Sequence, residues 1–266
     1  MEYFELYVYP VLVLTGLLAG VINALAGNGS ALTLSALILF GMPATIANAT
    51  NRIGVFFLAV TVILSVKRTP ATLRLYRANA GLIVPALVGS ALGAYGATLV
   101  DDDLLKFVAV GALVLVLMSM LLQGSKWERG DKTPTAGDNI SSLVAIFLAG
   151  LYAGFIQMGV GIIILASLVM LAKYSFMQAN LLKQIITFTL AAVPLIIFMG
   201  ADMIDWPTGL ALGVGQVAGG RIAAKWVLQE PKAQVYIRRL VLVIILFALV
   251  GLLDLHNYVL EAVFKA

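Results

Sequence analysis

Cysteine is absent from the 266 residues, and histidine occurs once, as His256 close to the C-terminus. These absences exclude a disulfide framework, an iron–sulfur cluster, a thiolate metal site and a Ser-His triad inside the apolar body of the chain. Charge is also scarce. Only 11% of residues are Asp, Glu, Lys or Arg, against about 25% in soluble domains. With 62% hydrophobic residues and a mean hydropathy of +1.04, too little polar surface exists to face water. A soluble enzyme, a disordered chain and a fibrous repeat are excluded, which leaves a polytopic helical membrane protein. The start of the chain, Met1 to Glu5, lacks the basic residues of a signal peptide, so no cleaved leader is expected.

Apolar runs of spanning length cover 7–26, 45–66, 79–100, 104–122, 140–157, 177–199, 206–228 and 235–253. Two shorter runs, 30–40 and 161–172, follow the first and the fifth. Crossing the hydrocarbon takes about 20 residues at 1.5 Å rise each, so the short runs reach about halfway. A polar stretch, Gln123 to Asn139, separates an N-terminal transmembrane half (1–122) from a C-terminal one (140–266), and residues 123–139 read as their linker.

The halves share an internal order. Gly27, Asn28 and Gly29 precede a short run and then Ala47 and Asn48; Gly159, Val160 and Gly161 precede a short run and then Ala179 and Asn180. Gly29 to Asn48 and Gly161 to Asn180 are both 19 residues apart. Gly89 and Gly93 in the first half match Gly215 and Gly219 in the second. Gly-rich faces of this kind let helices approach closely.

Loop charges set the orientation. Lys67, Arg68, Arg74, Arg77, Lys126, Arg129, Lys132, Lys173, Lys225, Lys232, Arg238 and Arg239 fall in one set of loops. Asp101, Asp102, Asp103, Asp202, Asp205, Asp254 and Glu261 fall in the other. The basic set, with the 123–139 linker, is expected in the cytoplasm, and the C-terminus in the periplasm. The net charge of +4 then reports topology rather than nucleic-acid binding. The 45–66 and 177–199 helices run in opposite senses, so the halves are inverted. The expected fold is all-α: a polytopic membrane protein with two inverted-topology repeats, each a broken or re-entrant helix pair followed by three transmembrane helices. A full crossing by 7–26 is the rival to the re-entrant hairpin. Inverted repeats with broken helices are the build of secondary transporters, with sites near the midplane.

All 13 acidic residues lie in loops, linker or termini, which removes a carboxylate proton relay, a carboxylate sodium site and hydrolytic carboxylate pairs; no enzyme or metal site is expected. Basic residues behave differently. Arg52, Lys183 and, less deeply, Arg221 lie within apolar runs. Asn48, Asn51 and Arg52 share one helix face, as do Asn180, Lys183 and Gln184, with Thr187 extending the stripe. A charge in a membrane helix costs at least about 2.5–3.5 kcal/mol and normally faces a partner or a cavity. With no acid nearby, the missing counter-ion is read as an anionic substrate; snorkelling to the interface is the alternative. The helices that start near Ser30 and Ile162 would turn positive dipole ends to the same centre. Asn28, Gly29 and Ser30 supply donors at the first break, and Gln157 and Gly161 at the second. The candidate site is therefore Asn28, Gly29, Ser30, Asn48, Asn51, Arg52, Gln157, Gly161, Asn180, Lys183 and Gln184.

At these residues the sequence resembles the TauE/SafE family of sulfite and organosulfonate exporters. The resemblance lies in the break from Ala26 to Ser30, in Gly41-Met42-Pro43, and in Ala47-Asn48-Ala49-Thr50-Asn51-Arg52. A weaker echo runs through Ala153-Gly154-Phe155-Ile156, Gly159-Val160-Gly161 and Ala179-Asn180. It implies a multi-pass protein of the bacterial inner membrane that exports small sulfur-containing anions such as sulfite, sulfoacetate or other organosulfonates, without an organic cofactor. A permease for another small anion and a non-catalytic membrane subunit of a larger assembly are the alternative readings. Expected partners are the small anion and membrane lipids, with a homo-oligomer left open and nucleic acid excluded.

Overall fold

The computed structural model describes residues 5–26, 28–66, 69–122, 140–223 and 231–253. The 123–139 linker, the C-terminal segment with His256, and Gly27 of the first break lie outside the described residues, as do the expectations placed on them. The chain is all-helical there, with no strand among the described residues. The helices are α1 (Tyr9–Ala26), α2 (Gly29–Leu39), α3 (Ala44–Ser65), α4 (Pro70–Ala78), α5 (Ile83–Thr98) and α6 (Asp102–Leu122). After the linker come α7 (Ile140–Phe155), α8 (Val160–Ala166), α9 (Phe176–Gly200), α10 (Trp206–Ile222) and α11 (Pro231–Leu252). A π turn over Ser167–Leu171 extends α8.

Among the described residues, four stretches are long and apolar enough to cross a membrane: Leu6–Asn23, Ala44–Ser65, Ala80–Thr98 and Met177–Gly200. Large apolar side chains such as Leu14, Phe107, Leu115, Leu148, Ile196 and Phe247 stand exposed on outward faces. Water would penalise that surface and lipid covers it at no cost.

The polar segment between α3 and α5 reads from sequence as a loop, yet it holds α4. Local chemistry explains the difference. The Thr69 side chain accepts from the Thr72 amide, and Pro70 opens the helix with its φ already set. Thr72 turns inward, while Leu73, Arg74 and Arg77 face out. The following apolar run begins with a 3₁₀ turn, Ala80–Leu82, before α5. Pro85 is the third residue of α5, where its missing N–H is one the helix leaves unpaired anyway. Pro194 sits inside α9.

Packing crosses between the halves. The most extensive contacts join α1 to α10 and α5 to α7. Both pairs meet backbone to backbone at glycines. A Cβ added at Gly219 would lie 1.9 Å from the Leu17 oxygen of α1, and one added at Gly93 would lie 2.0 Å from the Leu151 oxygen of α7. Gly16 and Gly20 answer from α1, and Gly150 and Gly154 from α7. The first helix of each half is thus laid against a glycine-rich helix of the other. α3 packs on both α9 and α10, which brings the stripes of α3 and α9 to the centre. Asp102 closes the start of α3, accepting from the Thr45 amide at 2.8 Å and the Thr45 hydroxyl at 2.6 Å.

Candidate functional site

Two chain breaks meet in the interior. At the first, α2 folds back beside α1: a Cβ at Gly29 would lie 2.2 Å from the Ala19 oxygen and 2.9 Å from the Asn23 Cβ. At the second, Gly159 adopts φ 67, a left-handed conformation that favours glycine, and the Tyr152 hydroxyl donates to the Met158 carbonyl at 2.8 Å across the turn. The breaks are neighbours. A Cβ at Gly159 would stand 3.8 Å from Asn28 Oδ1.

A cavity of about 40 Å³ opens between them, lined by Ser30 of α2, Val160 and Gly161 of α8, and Gln157 from the intervening turn. Lys183, Gln184 and Thr187 of α9, Asn23 of α1 and Val55 of α3 complete its lining. A water needs about 10–15 Å³ on this measure, so the space suits a few waters or one small anion and not a nucleotide or sugar. Lys183 is 9% exposed, and its ammonium makes no hydrogen bond or ion pair among the described residues. Among the described residues no carboxylate lines the cavity.

The remaining candidates do not line this cavity. Arg52 is fully buried and lies against the end of α7. Its Nη1 donates to the Ala153 carbonyl at 2.6 Å and to Gln157 Oε1 at 3.0 Å. Its Nη2 donates to the Gly154 carbonyl at 2.9 Å and to Asn48 Oδ1 at 3.4 Å. The Phe198 ring lies below it, 5.4 Å from Cζ, a favourable place for a cation. Asn51 accepts from the Thr33 hydroxyl at 2.5 Å, tying α3 to α2, while its own Nδ2 has no partner. Asn28 is buried with neither amide atom paired, and Gly29 is taken up in the α1–α2 contact. Asn180 is half-buried and does not line the cavity.

Of the residues chosen from sequence, Ser30, Gln157, Gly161, Lys183 and Gln184 therefore share one cavity. Asn28, Gly29, Asn48, Asn51, Arg52 and Asn180 do not line it. Sequence reasoning missed Asn23. Its signal was present: Asn23 follows Gly20 by three residues, as Gln157 follows Gly154, and both glycines are helix-contact positions.

The family model for the sulfite exporter TauE/SafE matches residues 12–252. The chain belongs to that family. Curated relatives agree on the class of protein. It is 27% identical over 235 residues to the probable membrane transporter protein YfcA of Escherichia coli K12, covering 88% of this chain and 85% of the relative. A probable membrane transporter protein of Haemophilus influenzae is 26% identical over 222 residues, covering 84% of this chain and 86% of the relative. The probable membrane transporter protein ORF9 of a Sinorhizobium species is 24% identical over 233 residues, covering 86% and 87%. No solved structure matches. Family and relatives together make this chain a multi-pass membrane transporter, and not an enzyme.

Proposed function

We propose that this transporter exports small sulfur-containing anions, sulfite or simple organosulfonates, across the bacterial inner membrane. One observation carries the reading: Lys183 lines a small cavity between two helix breaks, and among the described residues no acid pairs with its ammonium or lines that cavity. A cation so buried needs a counter-charge, and the cargo is the group that supplies it. Gln157, Gln184, Thr187, Asn23 and Ser30 offer hydrogen bonds to the oxygens of such an anion. The cavity size favours an anion of a few heavy atoms. The family description, sulfite exporter, supplies the sulfur.

The exchange of helix partners between the halves supports the inverted-repeat reading, as α1 meets α10 and α7 meets α5 in matching glycine registers. In that reading, residues 1–122 and 140–266 move against each other around the cavity, with linker 123–139 cytoplasmic and the C-terminus periplasmic.

The test is flux of radiolabelled sulfite and sulfoacetate in proteoliposomes that hold the purified chain alone. We expect saturable export that Lys183→Ala reduces at least about tenfold, the scale of a lost hydrogen bond to a charged group. Flux of other small anions with none of sulfite would favour a different cargo. No flux of any anion would favour a subunit that works only in a larger assembly.

A further inference from the structure

The Arg52 guanidinium has five N–H donors and no acceptor. The four on Nη1 and Nη2 are all engaged, with Ala153, Gln157, Gly154 and Asn48, and Nε is buried without a partner. None of the terminal donors is left for a substrate. Their targets form a set. A helix leaves its last four carbonyls without helical partners. At the end of α7 the Tyr152 carbonyl accepts from the Ile156 amide, Ala153 and Gly154 accept from Arg52, and Phe155 accepts from Asn48. The pair on α3 therefore closes α7 where the chain breaks.

Gln157 is the next link. An arginine can only donate to it, so the amide oxygen must face Arg52 and the NH2 must face away. Gln157 lines the Lys183 cavity, and its Nε2 has no partner among the described residues. We infer that Arg52 is a positioning residue for the transported anion, closing the end of α7 and turning the Gln157 amide so that its NH2 donates into the Lys183 cavity. The inference rests on the anion-site reading above and reassigns Arg52 from ligand to support. Charge alone does not perform this role. It needs a planar fork that reaches two carbonyls and two side-chain oxygens at once.

The experiment is binding of radiolabelled sulfite to the purified full chain in detergent, with thermal melting of each variant measured alongside. Arg52→Lys keeps the charge and should still weaken binding at least about tenfold, as should Gln157→Leu, each by the worth of one hydrogen bond to a charged group. The two losses should not add: in the Gln157→Leu background, Arg52→Lys should cost less than about twofold more. Tenfold loss from Arg52→Lys in both backgrounds would make Arg52 a direct ligand and overturn the inference, as would wild-type binding by Arg52→Lys. Should Arg52→Lys fail to fold, Gln157→Glu decides. It gives Arg52 a carboxylate to hold, so melting should not fall, but it removes the NH2, so sulfite binding should drop at least about tenfold; unchanged binding overturns the inference. Lys183→Ala separates the two levels. If it binds sulfite like wild type, or if the unchanged chain binds no sulfite, the anion-site reading fails and takes this inference with it. If Lys183→Ala abolishes binding while Arg52→Lys does not weaken it, the inference fails alone.

Discussion

Asn48 donates its amide to the Phe155 carbonyl at 2.8 Å, across 107 positions of sequence. That bond joins the N-terminal half to the end of the first long helix of the other. Asn48 is buried, so its amide has no substitute partner in lipid or water. Asn48→Ala should therefore lower the thermal stability of the purified protein by about 1–3 kcal/mol, the cost of an unpaired buried polar group. Because Asn48 also accepts from Arg52 Nη2, sulfite binding should weaken with it. A melting curve that matches wild type would show the helix end closed by other means.

The glycine contacts predict a steric effect. A side chain at Gly93 or Gly219 would meet a backbone oxygen at 2.0 Å or 1.9 Å, and a backbone within a helix cannot step aside cheaply. Gly93→Ala and Gly219→Ala should each lower stability by about 1–3 kcal/mol, as overpacking does. Gly111→Ala, where nothing lies within 4 Å of the added carbon, is the control and should be neutral. Melting in detergent, read by fluorescence-detected gel filtration, distinguishes the three.

Topology is open to a direct assay. Reporter fusions after Lys132, in the linker, and after Ala266, at the C-terminus, should give opposite signals, cytoplasmic for the first and periplasmic for the second. The basic loops require that result. Matching signals would sink the inverted-repeat reading.

Energetics supply the last prediction. Among the described residues no carboxylate lines the cavity to bind a coupling cation. An anion leaving an inside-negative cell is driven outward by about 2.3 kcal/mol per charge per 100 mV. Export should then follow an imposed potassium-diffusion potential in liposomes and carry net charge. Flux that ignores the potential and tracks a proton gradient would refute this, and Lys183 would be the first residue to test as a proton carrier.

Composition by itself determined the solvent. A chain with this little charge and so many apolar runs dissolves only in lipid, and in lipid the backbone must satisfy itself, so helices follow without knowledge of any contact. The two breaks, the short runs after them and the glycine pairs were also legible, because each is a local departure from an otherwise apolar helix. The stripes Asn48–Asn51–Arg52 and Asn180–Lys183–Gln184 could be seen too, since helical periodicity places their members on one face. Periodicity cannot say what that face meets. Arg52 and Lys183 look alike in sequence, each a cation beside amides and in nearly matching places of the two halves. The tertiary structure separates them: the Ala153 and Gly154 carbonyls, Gln157 Oε1 and Asn48 Oδ1 take up the terminal donors of Arg52, while Lys183 shares a cavity with Gln157 and has no hydrogen-bond or ion-pair partner among the described residues. Which cation is occupied by the protein and which is left for a ligand depends on elements about a hundred residues away, and that is settled only when α1 and α7 dock on the glycine faces of α10 and α5.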